Sequence, residues 1–285
     1  MATGEDQYLT LITAPPDHSR RRLAEALQSE AELDARTLEM ILGRTPPCIL
    51  GRFPAARCAA AILAITSRRG DAFACTLADI EALGPTHKIR DLQHRHGALI
   101  ATLWRGGALP IEPKSIQVLV RAQLATSEVK PPPVQSPLAS APRSTYGHNA
   151  ALAGYAVGGA YGLAVGMYGE FSAAALNWEK TITTSDKLDI HLGDGRVFQV
   201  DGDKFGYRIL GDSRGLSDNV NISRMCELMT HFAPDAIVDP YFSLWKSPPG
   251  AGRLRLPMMK VNNDDPEFAF YSRWAALMYR HVMAG

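Results

Sequence analysis

NDDPEFAFYSRWAALMYRHVM, residues 263–283, is the stretch on which the fold turns. Asp265 reads as a helix cap and Pro266 as a first-turn residue, whose missing N–H costs nothing there. Phe268, Tyr271, Ala275, Met278 and Val282 recur at helical spacing on one face. Phe270, Trp274 and Leu277 widen that face, so the expectation is a helix covered on both sides. The preceding run NNDDPE (262–267) has enough oxygen-bearing side chains to hold a hard cation. The cap needs only Asp265 and Pro266 and accounts for the same letters.

Outward from this helix, ISRMCELMTHF (222–232) reads as a second helix and RLRLPMMKV as a strand. DKLDIHL, the turn Gly193-Asp194-Gly195 and RVFQVDGDKFGYRIL read as a strand, a hairpin turn needing positive φ, and further strands. Residues 171–285 are therefore expected to form a C-terminal α+β domain.

Before it lies GYAVGGAYGLAVGMYG (154–169), with Gly154, Gly158, Gly162 and Gly166 spaced by four. Such spacing makes a smooth surface that a second helix can approach closely. The segment 150–170 is a glycine zipper in this reading, and three states stay open for it. It spans a membrane, for which about 20 residues suffice. It packs inside the protein. It continues a flexible linker. If it spans, the positive charges preceding it put the N-terminal half in the cytoplasm. SEVKPPPVQSPLASAPRSTYGHN (127–149) is rich in proline and poor in large apolar side chains, which is the composition of a linker.

In the first part, QYLTLI (7–12) reads as a strand ended by APPD. HSRRRLAEALQSEA and DARTLEMIL read as helices and PPCILGRF as a strand. PAARCAAAILAITSRRG, with Pro54 near its start and Gly70 beyond its end, reads as a helix. DAFACTL closes as a strand. Over residues 1–80 this β-α-α-β-α-β order, with SRRGDAFACTL (67–77) as last helix end and strand, resembles the C-terminal domain of the bacterial ribosomal stalk protein. The resemblance implies that fold and carries over no functional residue. The lysine-rich helix surface with which that family engages translation GTPases is not reproduced here. Residues 81–126 read as a small β-rich unit, with strands in HGALIATLWRGG and SIQVLVRAQL and a turn at GGALPIEPK. The expected architecture is α+β, two small α+β regions joined by the Pro-rich linker and the glycine-zipper segment.

Composition narrows the function classes. Hydrophobic residues at 46% supply a core and argue against global disorder. A net charge of +1 gives no long-range field for nucleic acid, so none is expected as a partner. SRRR (19–22) and SRRG (67–70) read as solvated helix faces. Cys48, Cys58, Cys75 and Cys226 show no paired spacing. Reduced, buried thiols and a cytoplasmic location are expected. The N-terminus lacks the basic and apolar regions of a signal peptide.

No GxSxG, HExxH, Walker or GxGxxG pattern occurs. DGDKFGYRILGD (201–212) imitates a calcium loop, but Phe205 sits where an oxygen ligand is required, so a turn is the better reading. Glu227 and His231 are spaced i, i+4 and read as a surface pair. The enzyme alternative, a hydrolase-type pocket, would rest on His191, Asp194, Asp201 and His231 converging in one cleft. Tyr241, Phe242 and Trp245 are either a core segment or an exposed partner site. No metal and no cofactor is expected. The leading functional expectation is a non-catalytic adaptor or scaffold, membrane-associated if 150–169 inserts, with a protein partner and scope for a homo-oligomer. A membrane-inserting effector is the remaining alternative.

Overall fold

The computed structural model describes residues 5–15, 17–30, 38, 47–130, 179–239, 242, 262–263 and 265–284. The glycine zipper, most of the Pro-rich stretch, most of DARTLEMIL, the run RLRLPMMKV, Tyr241 and Trp245 lie outside the described residues. The protein is α+β. The chain divides into two compact units, one of residues 1–125, 184–254 and 263–285, the other of 126–183 and 255–262.

A three-stranded antiparallel sheet is built from β1 (Gln7–Thr13), β2 (Cys48–Phe53) and β3 (Asp71–Thr76), with β1 in the middle. Alternation along β1 sends Leu9 and Leu11 to one face and Tyr8 and Thr10 to the other. Leu9 and Leu11 pack with Leu23 and Leu27 of α1 (Asp17–Glu30) and with Cys58, Ala61 and Ile65 of α2 (Ala55–Thr66). Pro54 is the N-cap of α2 rather than a residue inside it. The short α3 (Leu77–Ala82) follows β3, started by a reciprocal cap between Thr76 and Asp79.

The larger sheet uses β4 (Thr86–Arg95), β5 (Ala98–Leu103), β6 (Ala108–Ile111), β7 (Ile116–Lys130), β8 (Glu179–Leu192), β9 (Val197–Asp201) and β10 (Ile237–Asp239). Their order is β10-β7-β8-β9-β4-β5-β6. The sheet is mixed. β4 runs parallel to β9 and β10 parallel to β7, while β8–β9, β4–β5 and β5–β6 are antiparallel. Leu188, Ile190, Leu192, Phe198 and Val200 face α4 (Asp218–Phe232), whose Ile222, Met225 and Met229 are fully buried.

The last helix, α5 (Asp265–Ala284), lies between the two sheets. On one side it meets Tyr8, Ile49, Phe73 and Cys75, on the other Val118, Val120, Ala122 and Leu124. Trp274, Ala275 and Ala276 are 0% exposed. The two-sided stripe thus does what its width implies, and only its end departs, with Val282 43% exposed. The layers run helices, small sheet, α5, large sheet, α4.

This differs from two regions joined by a linker. β7 and β8, which flank the proline- and glycine-rich stretch, are neighbours in one sheet, so the stretch connects two adjacent strands. Residues 127–130 belong to β7. The separate β-rich unit 81–126 and C-terminal domain 171–285 share that sheet, because β4 pairs with β9. Composition marks a solvated connection; it carries no information on where its two ends pair. ALPI (108–111) is the strand β6, with the turn confined to the residues before it, and RIL lies in 3-10 turns (Arg208–Ser213) instead of a strand. Tyr207 has φ 50°, a left-handed conformation that ends any extended run.

Candidate functional site

The polar residues of DKLDIHL supply the site. Strand periodicity puts Leu188, Ile190 and Leu192 against α4 and leaves Lys187, Asp189 and His191 facing α5. That polar side is buried: Asp189 is 3%, His191 1% and Ser272 0% exposed.

Within it, Lys187 Nζ pairs with Asp265 Oδ1 at 2.5 Å, tying the strand to the first turn of α5. Asp189 accepts from Gln199 Nε2 (3.0 Å) on one oxygen and from Ser272 Oγ (2.7 Å) on the other. The Ser272 proton being spent on Asp189, its oxygen accepts from His191 Nε2, 2.7 Å away. This fixes the histidine tautomer and leaves Nδ1 as a bare acceptor, which has no hydrogen-bond partner.

Burial pushes the Asp189 carboxyl up to about 6, against the pull of Ser272, Gln199, Lys187 and Arg273. Burial, with the positive charges of Arg280 and Arg273, lowers His191 to about 3. Arg280 reaches Leu192 O (2.6 Å) and Gln117 Oε1 (2.9 Å). Arg273 donates to the carbonyls of Ile80, Glu81, Leu83 and Gly84 at 3.0–3.4 Å. Trp274 Nε1 donates to Thr10 Oγ1 (2.9 Å) and Tyr271 OH to Asp239 Oδ1 (2.8 Å). Both sheets are therefore hydrogen-bonded to α5.

The side chains of Asp189, Ser272 and His191 match those of an acyl-transfer triad, but their order does not. Nucleophilic catalysis needs the histidine between serine and carboxylate, accepting the serine proton. Here the serine is in the middle and gives its proton to the aspartate. The buried row connects helix to sheet.

The four residues of the sequence-derived pocket do not share a cleft. His191 is inside the row. Asp194 is exposed in the β8–β9 turn; the Arg196 backbone N–H (3.0 Å), and after it the Arg196 guanidinium (2.7 Å), hold its carboxyl below the usual range. Asp201 ends β9 beside Lys204 (3.1 Å) and Asp203; that contact lowers Asp201 and raises Asp203. His231 is exposed on α4, on the opposite side of the sheet from His191, with its ring edge-on to Phe232. Phe242 is 8% exposed and packs edge-on against Phe268 and Tyr271, so it is a core residue and not a partner contact. Among the described residues no group of three His, Cys, Asp or Glu side chains can hold a metal ion. In the imitation calcium loop Phe205 is 5% exposed in the core. All four cysteines are free and buried, and burial raises Cys58 and Cys226 to about 11 and Cys75 to about 12. Among the described residues no helix is long and apolar enough to cross a membrane.

Sequence reading missed Asp189, Gln199 and Ser272. The signal was present in the strict polar–apolar alternation of DKLDIHL and in a lone serine inside an aromatic helix face. No protein-family model, curated protein or solved structure matches the chain.

Proposed function

We propose that this chain is a non-catalytic scaffold or adaptor that works through protein–protein contacts. One observation carries the reading: Asp189, His191 and Ser272, the groups best suited to chemistry, are consumed in bonding α5 to the sheet and are sealed from solvent. Function is then left to the surface. The hydrolase alternative lacks a shared cleft for its four residues.

The test exposes the native full chain to a fluorophosphonate, which labels activated serines, and reads intact mass. In parallel, an affinity-tagged chain and its Ser272→Ala variant are purified from their host. The expected result is no adduct on Ser272 and a stoichiometric protein partner held by both forms below their melting temperatures. An adduct on Ser272, or the absence of such a partner, overturns the scaffold reading.

A further inference from the structure

One part of the large sheet has an open side. On β5, Leu99 and Ala101 are 0% exposed and face α4. Alternation sends Ile100, Thr102 and Trp104 the other way, and none of the three is buried. Their register partners on β6, Pro110 and Ala108, are exposed. Trp104 is 47% exposed, and its backbone N–H donates to Lys88 O at 3.0 Å, which sets the exposed Lys88 directly across from it. Beside the indole the chain turns through Arg105, Gly106 and Gly107. The glycines have φ of 90° and 84°, which favours glycine, and no neighbouring atom lies within 4 Å of where a Cβ would sit. The indole therefore stands beside a shelf without side chains.

Exposed cations outnumber exposed carboxylates on this side: Lys88, Arg95 and Arg105 stand against Glu112, which follows β6. Arg95 pairs in register with Ala98, and its guanidinium donates to Gln93 Oε1 at 2.8 Å. Lys88 and Arg105 form no ion pair among the described residues. Asp91, which pairs in register with Thr102 on the same face, is only 9% exposed. Strand addition at the sheet edge is blunted, because Pro110 in the four-residue edge strand β6 has no N–H to offer.

We propose that the open face of β4–β6 is a docking site for an acidic, aromatic- or leucine-containing peptide segment of a partner protein. Trp104 is its anchor, and Lys88, Arg95 and Arg105 are its charge clamp. Exposed tryptophan beside arginine is the composition of binding hot spots. The excess of cations over the one exposed carboxylate, Glu112, selects an anionic occupant. Trp104 as the one exposed large aromatic among the described residues, and a net charge of +1, favour a peptide over single-stranded nucleic acid, which needs successive stacking platforms and a basic channel. The proposal rests on the scaffold reading and names its surface.

The test pans a displayed library of random peptides, about twelve residues long, against the full chain. Counter-selection uses the Trp104→Ala/Arg105→Glu double variant. Differentially selected clones are expected to be enriched in Asp and Glu. A synthetic peptide from them is expected to bind roughly tenfold more weakly to Trp104→Ala and to Lys88→Glu, and to weaken as salt rises. Lys88→Glu leaves the Gly106-Gly107 turn untouched, so it reads the site even where the double variant is unstable. No differential clones, or clones without acidic enrichment, overturn the proposal. Tighter Trp104-dependent binding of oligo(dT) does so in favour of nucleic acid, and a Trp104-dependent dimer in sedimentation does so in favour of a second copy. A partner that co-purifies equally with Lys88→Glu and Trp104→Ala leaves the scaffold reading standing while this surface falls.

Discussion

At the scale of single residues, the buried row makes stability depend on pH through two groups of opposite sign. His191 titrates at about 3 in the folded chain and near 6.5 when unfolded. Its contribution is complete above pH ~6.5 and is lost as pH falls toward 3, because the unfolded chain takes the proton first. Asp189 behaves the other way. Its folded value of about 6 exceeds the unfolded ~3.9, so its contribution is present below ~3.9 and lost as pH rises through 6. Lys187 and Gln199 face Asp189, Arg280 faces His191, and Ser272 and Arg273 act on both. Between about pH 4 and 6 the two effects oppose each other. Replacing Asp189 by Asn should therefore steepen the acid loss in that window. His191→Gln should flatten the limb between about 6.5 and 3, by up to roughly a factor of ten in the folding equilibrium per pH unit. Urea midpoints at several pH values read both slopes. Parallel slopes in wild type and both variants would rule out the pair as the titrating groups.

At the scale of elements, α5 is held by directional bonds as well as by apolar contact. Its aromatic face supplies burial on both sides, while Trp274, Tyr271 and Ser272 each reach a defined acceptor on one sheet or the other. Arg273 does the same for α3. The last carbonyls of a helix have no partner within it, and the guanidinium satisfies those of Ile80, Glu81 and Leu83 together with Gly84 just beyond. A lysine keeps the charge but not the planar fork. Arg273→Lys is therefore expected to cost about 1–3 kcal/mol, since these carbonyls lose charged donors. Amide hydrogen exchange should rise around Leu83–Thr86 before it rises in β1. Unchanged protection there would mean that the carbonyls find other donors.

At the scale of the whole molecule, the interleaved chain path makes the early and late parts interdependent. β4 and β7 come from the first part, β8 and β9 from the second, and they lie side by side. The small sheet would leave the apolar side of Tyr8, Ile49 and Phe73 bare without α5. Fragments 1–126 and 171–285 expressed separately are thus expected to aggregate or remain unfolded by circular dichroism. Co-expression is expected to restore a soluble complex. Independent folding of either fragment would return the molecule to the two-domain arrangement that its composition suggests.

Helical and strand periodicities are local, so they are written in the order of the letters. The stripe within 265–284, the helix at 222–232, the strand in 186–192 and the helix after Pro54 were legible from the sequence for that reason, while the start of the second helix at Ser217 and the capping place of Pro54 were not. The four buried cysteines followed from residue type. Burial of the polar side of β8 was not legible. Alternation reads the same whether that side meets water or a helix more than seventy residues away. The Asp189–Ser272–His191 row, the sharing of one sheet by β4–β7 and β8–β9, and the exposure of Trp104 opposite a filled core all depend on which segments meet. The sequence by itself determined the elements and their apolar faces, because backbone geometry and burial act locally. Only the tertiary structure decided which polar groups were sealed in and which stayed available, because that depends on contacts between distant parts of the chain.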